Sequence, residues 1–319
     1  MKILTLNIRG FGKDVESESK VNWFCKMCQT KNPDIVFVQE SKCNTVDDRW
    51  VELIWGSSNV SYVQKPKIGK SGGLLIIWDP SIFVVTAAVE KRHFIAIKGK
   101  WKGKDNESII VNVYGPHNDN DKSIFFDSLD VLLNVSNVDW IIGGDFNEVR
   151  FSSECQNSRF ISRRACVFND FIDRNQLIEI PLLGKRFTRI SDDGRKLSKL
   201  DRFLVNESFV QTWGHTSVIA LDRRTSDHCP LILRDSNIDF GPKPFKLFNI
   251  WLENKDVEKI IVDAWNEQNA LRTWSKYQYG TLDEEIENWQ NITKEMEEKA
   301  DSGSLNDDDR TSWINARAI

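Results

Sequence analysis

The sequence predicts an α/β fold of four layers, two mixed sheets packed face to face between outer helices, with a helical segment appended at the C-terminal end. Residues 2–38 read as strand, helix, strand, and the same plan, a mixed sheet with helices on its outer side, returns in the second half without a sequence repeat. The run between residues 60 and 114 is dominated by β-branched and aromatic segments, and past Asp235 the pattern turns helical.

Lys2 to Ile8 alternates loosely and reads as a strand, with Arg9-Gly10 as its exit turn. Ser17 to Thr30 carries Val21, Phe24, Cys25 and Cys28 at helical spacing, and Pro33 closes that helix. Asp34 to Val38, with Ile35, Val36, Phe37 and Val38 in a continuous apolar run, reads as a strand buried on both faces that delivers Gln39 and Glu40 at its end. Strand, helix and strand in succession make parallel neighbours, so Asn7 and Glu40 are expected side by side at one sheet edge. A short helix is expected over Val46 to Ile54, then strands at Val60–Val63, Gly73–Trp78, Phe83–Val89, Phe94–Ile97 and Ser108–Tyr114. Lys67 to Gly73 resembles a phosphate loop only in composition: the spacing is wrong and a strand follows, so it reads as a turn.

Ser123 to Leu133 is helical and leads into a strand from Val138 that ends in Gly143-Gly144-Asp145-Phe146-Asn147. Two glycines permit a sharp turn, and side chains two apart at a strand end point to one side, so Asp145 and Asn147 can look into one cleft. Taken alone, the same letters also describe an Asp-Asn turn. A helix at Arg163–Arg174 and strands near Phe187–Ile190, Lys199–Val205, Thr216–Ala220 and Pro230–Leu233 complete the pattern. Gly241 to Pro244 breaks the chain. Val257, Ile260, Ile261, Ala264 and Trp265 then form one apolar helix face, and Ile286, Trp289, Ile292 and Met296 a second. The expected organisation is a domain over 1–235, a linker over 236–250 and a helical segment over 251–319.

The chain has 319 residues, 40% of them apolar and 28% charged, as in ordinary globular proteins. No run reaches the roughly 18 apolar residues of a membrane span, and Met1 leads straight into a strand, so no membrane association and an intracellular location are expected. The six cysteines lack a disulfide rhythm, and the Cys25/Cys28 pair has no partner at zinc spacing, so no zinc is assigned. The net charge of -4 is uneven: residues 281–319 carry -7 and the rest +3. Lys185 to Arg202 holds seven bases against three acids, a stripe fit for a phosphate backbone, with Arg189 and Lys199 as candidate contacts; a solvated charged hairpin is the alternative.

Set in order, the segments LNIRG, QES, NVYGP, GDFN, SKLDRFLV and SDHCP resemble the endonuclease/exonuclease/phosphatase superfamily, with its deoxyribonuclease I-like fold, over residues 1 to about 235. SGGLLIIW, FNDFI, FTRISDDGRKLSKLDRFLV and PFKLFNIWLENKDVEKIIVDAW further resemble the endonuclease domain of plant non-LTR, LINE-type retrotransposons, where a reverse transcriptase region lies downstream. The chain is then expected to be a truncated element or a piece of a polyprotein. The resemblance implies a DNA endonuclease that nicks one strand with a divalent metal, Mg²⁺ or else Mn²⁺, leaves a 3′-hydroxyl, and works in the nucleus.

It also implies roles. Glu40 suits a hard cation, supported by Asn7 and approached by Asp227. Asp145 would hold and deprotonate the attacking water, Asn147 would orient it, and His228, paired with Asp201, would stabilise charge on the phosphate. Tyr114 would donate its hydroxyl to the phosphate, Ser226 would fix its loop by hydrogen bonding, and Thr188 would lie near the DNA. Arg9 and His117 stand where the abasic-site repair branch has Asp and Asn, which argues against a repair enzyme. A phosphatase or phosphodiesterase of the same superfamily and an inactive DNA-binding remnant are the alternatives.

Overall fold

The computed structural model describes residues 1–12, 15–69, 71–135, 138–235, 282–302, 306 and 308–309. In chain order its elements are β1 (Lys2–Asn7), α1 (Val15–Lys31), β2 (Ile35–Gln39), α2 (Asp48–Trp55), β3 (Ser61–Ile68), β4 (Ser71–Trp78), β5 (Phe83–Glu90), β6 (Phe94–Trp101) and β7 (Glu107–Tyr114). There follow α3 (Asp119–Leu133), β8 (Asp139–Asp145), β9 (Cys155–Gln156), α4 (Ser162–Arg174), β10 (Ile178–Glu179), β11 (Leu182–Leu183), β12 (Arg189–Ile190) and β13 (Leu197–Ser198). The chain continues through β14 (Asp201–Val205), α5 (Glu207–Thr212), β15 (Thr216–Ala220), β16 (Leu231–Asp235) and α6 (Leu282–Ser302).

Seven strands form one large sheet in the order β11-β15-β16-β1-β2-β4-β3, six form the second, β10-β14-β8-β7-β6-β5, and β12-β13-β9 make a small third sheet. Alternation explains the layering, because each central strand buries both faces. Ile3, Ile35, Phe37 and Ile76 meet Ile97, Ile110, Ile141 and Phe203 between the sheets. Their neighbours Leu4, Leu6, Val36 and Val38 turn the other way, onto Phe24 and Cys28 of α1 and Val51 and Ile54 of α2. On the far side Ile109, Val111 and Ile142 pack on Phe125, Phe126 and Leu129 of α3 and Phe168 and Phe171 of α4. The α/β/β/α order of layers is the one the sequence predicts.

The division into halves is not. Each large sheet draws on both ends or the middle of the chain: β15 and β16 return to pair beside β1, while β5 to β8 join β14 in the other sheet. The halves are tied together because β16 is antiparallel to β1 and completes its buried sheet. The segment Lys67–Gly73 closes the β3–β4 hairpin, with Ile68 paired to Ser71. The helix α5 escapes the sequence reading because six residues carry little periodicity; an Asn206 cap and buried Phe209 hold it.

A polar link also crosses the core. Gln39 Nε2 donates to Thr5 Oγ1 at 2.8 Å and Asn112 Oδ1 at 2.6 Å, and Asn112 Nδ2 donates to the Val38 and Leu75 carbonyls. These bonds fix the two sheets in register near the ends of β2 and β8. Gly144 lies beside them at φ 131, where a Cβ would strike the Val113 carbonyl.

Below the β8 exit loop, buried Arg202 reaches Glu154 and Glu179 and the carbonyls of Glu148 and Lys199. Burial alone would raise the Glu179 pKa, but Arg202 and Lys199 overcome it and hold the carboxyl at about 2, against an ordinary 4.5. A depressed acid stabilises the fold fully above its unfolded pKa and loses that contribution as pH falls through the folded value. Glu179→Gln is therefore expected to lower stability at pH 7 by on the order of 3 kcal/mol. Urea unfolding at several pH values checks this: the gap to the parent narrows from about pH 4.5 down to about 2, and a gap independent of pH contradicts it.

The expected linker 236–250 and the apolar face from Val257 to Trp265 lie outside the described residues. Of the second face, the Ile286 and Trp289 side chains also lie outside, whereas Ile292, Met296 and Ala300 of α6 pack on Phe187, Ile190 and Leu197. No helix among the described residues is long and apolar enough to cross a membrane.

Candidate active site

Strand direction gathers the site. β1 and β2 run parallel with Asn7 beside Gln39, and β7 and β8 run parallel with Tyr114 beside Asp145. An antiparallel strand starts where its neighbour ends, so β14 opens with Asp201 opposite Asp145, and the turn before β16 lies beside the exit of β1. Residues from six distant segments thereby reach one edge of the stacked sheets.

At its centre Asp145 is 1% exposed. Its Oδ2 accepts from Asn7 Nδ2 at 2.8 Å and its Oδ1 from the Asn147 backbone N–H at 2.8 Å. His228 Nε2 lies 3.8 Å from Asp145 Oδ2, and His228 Nδ1 lies 2.8 Å from Asp201 Oδ2. Burial alone would lower the His228 pKa, yet Asp201 and Asp145 together raise it to about 9, so the imidazole carries its proton at neutral pH. Burial raises the pKa of Asp145 against the opposing pull of His228, which makes it a better proton acceptor than an exposed aspartate.

The backbone around this centre is bent out of the ordinary. Arg9, Glu40 and Asn147, the residues at the exits of β1, β2 and β8, have φ of 57, 52 and 50°. Non-glycine residues avoid that region unless their surroundings impose it. Here Arg9 N donates to Asn7 Oδ1, and Lys122 Nζ holds the Asn147 carbonyl at 2.8 Å while pairing with buried Glu148 at 2.6 Å. Asn147 Nδ2 donates in turn to the Gly115 carbonyl. Lys122 carries no motif; its place in the first turn of α3 gives the sequence no sign that it is buried under the site.

Tyr114 adds a hydroxyl. Burial raises its pKa, and so do the nearby charges of Glu40, Asp145 and Asp227, so it remains a donor. His117 Nε2 stands 3.5 Å from that hydroxyl, and His93 Nδ1 meets the Tyr114 carbonyl at 3.3 Å. Ser226 Oγ bonds the Asn7 carbonyl at 2.6 Å and accepts from the His228 N–H, tying the turn to β1.

Other sequence expectations land differently. Thr188, expected beside DNA, is fully buried, and its Oγ1 donates to Asp201 Oδ2 at 2.6 Å while accepting from the Leu200 and Asp201 N–H groups. The residue lies where the hairpin strand passes beneath the 226–229 turn, with Cys229 N on its carbonyl, which turns its side chain inward. Lys199 is likewise drawn inside to Glu179 at 2.6 Å, since Arg202 and the acids beneath the loop form one ion cluster. Arg189 Nε pairs with Asp227 Oδ2 at 3.0 Å, and Arg9 approaches the same oxygen at 3.4 Å. Of the basic stripe, Arg186, Arg195 and Lys196 face solvent.

The fit to a cation is a question of oxygen donors. Asp227 Oδ1 is buried with no hydrogen-bond partner, and the Glu40 and Asp227 carboxylates both lie near enough to Tyr114 and Arg9 to shift their pKa values. An all-oxygen set of this kind suits a hard divalent ion, although Lys42, 3.0 Å from Glu40, and Arg9 and Arg189 beside Asp227 are counter-charges it would share. Asn7 directs its amide at Asp145, leaving only its oxygen, already bonded to Arg9 N, for that role. Asp145, Asp201 and His228 are the one group of acids and histidines among the described residues whose ligand atoms lie within 4.8 Å of one another. Its imidazole is already bonded to Asp201, and a protonated ring offers a metal no lone pair.

The sequence profile of the Endonuclease/Exonuclease/phosphatase family matches residues 4–228. No curated protein matches the chain by sequence. Among solved structures, AP endonuclease LMAP from Leishmania major has a TM-score of 0.58 and 15% identity over 73% of this chain and 86% of that one. The 3′ phosphatase NExo from Neisseria, bound to product DNA hairpin, has a TM-score of 0.57 and 16% identity over 74% and 99%. The endonuclease domain of TRAS1, a telomere-specific non-LTR retrotransposon, has a TM-score of 0.52 and 13% identity over 74% and 98%. At these identities the likeness to solved structures is one of fold. The profile, in contrast, begins in β1, ends at His228 and takes in every strand exit that builds the site, and on that match the chain belongs to the endonuclease/exonuclease/phosphatase family.

Proposed function

We propose that this chain is a divalent-cation-dependent phosphodiesterase that nicks one strand of duplex DNA and leaves a 3′-hydroxyl, as the endonuclease part of a plant non-LTR retrotransposon would in the nucleus. The observation that carries the reading is the Asp145–His228–Asp201 arrangement, an acceptor and an imidazolium donor 3.8 Å apart with a carboxylate behind the ring. A phosphodiester beside His228 Nε2, with its attacking water on Asp145, would engage both. Asp145 takes a proton from the attacking water, which Asn147 and Asn7 help to align by fixing the carboxylate. His228 donates from Nε2 to a phosphate oxygen, and Asp201 stabilises the imidazolium and holds the ring. As the water oxygen bonds to phosphorus the P–O3′ bond breaks, the departing 3′-oxygen takes a proton from solvent water, and Tyr114 donates a hydrogen bond to a second phosphate oxygen. A Mg²⁺ or Mn²⁺ ion on Glu40 and Asp227 would supply charge neutralisation at the phosphate. Exposed Arg186, Arg195 and Lys196 offer contacts to the DNA backbone.

Supercoiled plasmid incubated with the purified chain and Mg²⁺ is expected to become open circle, and EDTA or Asp145→Ala to prevent it. The nick is expected to prime a polymerase directly, which requires a 3′-hydroxyl. Plasmid that is bound yet remains supercoiled favours the inactive remnant, and hydrolysis of inositol phosphates in place of DNA favours the phosphatase.

A further inference from the structure

We propose that α6 belongs to the scaffold of the active site, with Glu297 and Arg223 acting as a positioning pair for Asp201 and His228. The proposal rests on the nuclease reading for its catalytic consequence.

Arg223 is buried, with 1% of its side chain exposed, in the loop between β15 and β16. Its Nη1 donates to Glu297 Oε1 at 2.7 Å, and its Nη2 reaches the Thr188 carbonyl at 3.3 Å and Cys229 Sγ at 2.9 Å. Glu297 is the only carboxylate that Arg223 touches among the described residues, and its other oxygen is held by Lys185. The chain of contacts then runs inward. The Thr188 hydroxyl bonds Asp201, Asp201 bonds His228, and Cys229, next to His228, gives its N–H to the Thr188 carbonyl at 2.7 Å.

The helix is seated by more than one bond. Met296 and Ala300 are buried against Phe187, Ile190 and Leu197, on the strands that frame Thr188. Asp301 Oδ2 accepts from the Arg186 N–H at 2.9 Å. Glu297 itself is buried, so the carboxylate completes an interior pair instead of decorating a surface. Without it Arg223 would keep a desolvated charge bound only to a carbonyl and a thiol. A guanidinium in that state draws in water or moves, and Thr188 and Cys229 move with it.

The test uses the full chain. Glu297→Ala is expected to lower kcat for plasmid nicking about tenfold with KM for DNA changed by less than about threefold, because the reacting groups shift while the exposed bases do not. Glu297→Gln keeps the shape without the charge and is expected to recover only part of this. Adding Arg223→Met to Glu297→Ala removes the stranded charge and is expected to recover thermal stability while kcat stays low, because the bond to the Thr188 carbonyl is lost with the guanidinium.

A second readout is independent of activity. Cys229 is wholly buried, so iodoacetamide should not label it in the parent. In Glu297→Ala, peptide mapping should find Cys229 labelled while Cys25 and Cys28, buried on the inner face of α1, stay protected. Parent-like kcat together with a protected Cys229 overturns the proposal. Simultaneous labelling of all three cysteines also overturns it, since the helix would then support the whole fold. A parent chain that nicks no DNA defeats the nuclease reading alone, and the labelling pattern still decides whether α6 braces this segment.

Discussion

Asp145→Asn is expected to reduce DNA nicking by about a thousandfold or more while leaving the fold at least as stable as the parent. The first effect follows from its role as the proton acceptor on the Nε2 side of His228, since a positioned general base is worth roughly 10² to 10⁴. Its loss also removes the anchor for the attacking water. The second effect follows from burial: at 1% exposure the carboxylate has lost nearly all its hydration, and an amide of equal size carries no charge to desolvate. The amide must turn its oxygen toward either Asn7 Nδ2 or the Asn147 N–H, so one of those two bonds weakens. Thermal unfolding and nicking rates, measured together, check the pair of outcomes. A variant that loses activity and stability in step would make Asp145 a structural residue.

His228→Gln is expected to cut nicking by about 10²- to 10³-fold and, unlike the change at Asp145, to destabilise the fold by roughly 3 kcal/mol. The imidazolium stands between Asp201 and Asp145, and its removal leaves two buried carboxylates facing a neutral side chain. Asp201 keeps the Thr188 hydroxyl, which cannot neutralise it. Asp201→Asn added to His228→Gln should therefore recover most of the stability and none of the activity. Urea midpoints measure the first and nicking rates the second. Recovery of both would remove His228 from the chemistry.

The strand exits that build the site were legible in the sequence because each pairs a short apolar run with a polar terminus, as in Ile141–Asp145 or Ile35–Glu40. The order of layers followed from two-sided burial of those same runs. The pairing of β16 with β1 was hidden, since local patterns give no sign of which distant strands share a sheet. The inward turn of Thr188 and Lys199 was hidden for a related reason. A basic hairpin looks solvated until its acid partners, Glu154 and Glu179, are brought under it by β9 and β10. Lys122 and Arg223 also lay out of reach of pattern reading, because a buried cation is recognised only through its counter-charge.

In the proposed reaction Asp145 and His228 act on one phosphodiester at the same moment. This joint action is tested most directly by single-turnover cleavage of an end-labelled duplex by Asp145→Asn, His228→Gln and the double variant. A double variant hardly slower than the slower single one is expected, because groups that work as a unit lose their joint contribution once. A double variant slowed by the full product of the two single effects would show that the two groups contribute independently, and would contradict joint action.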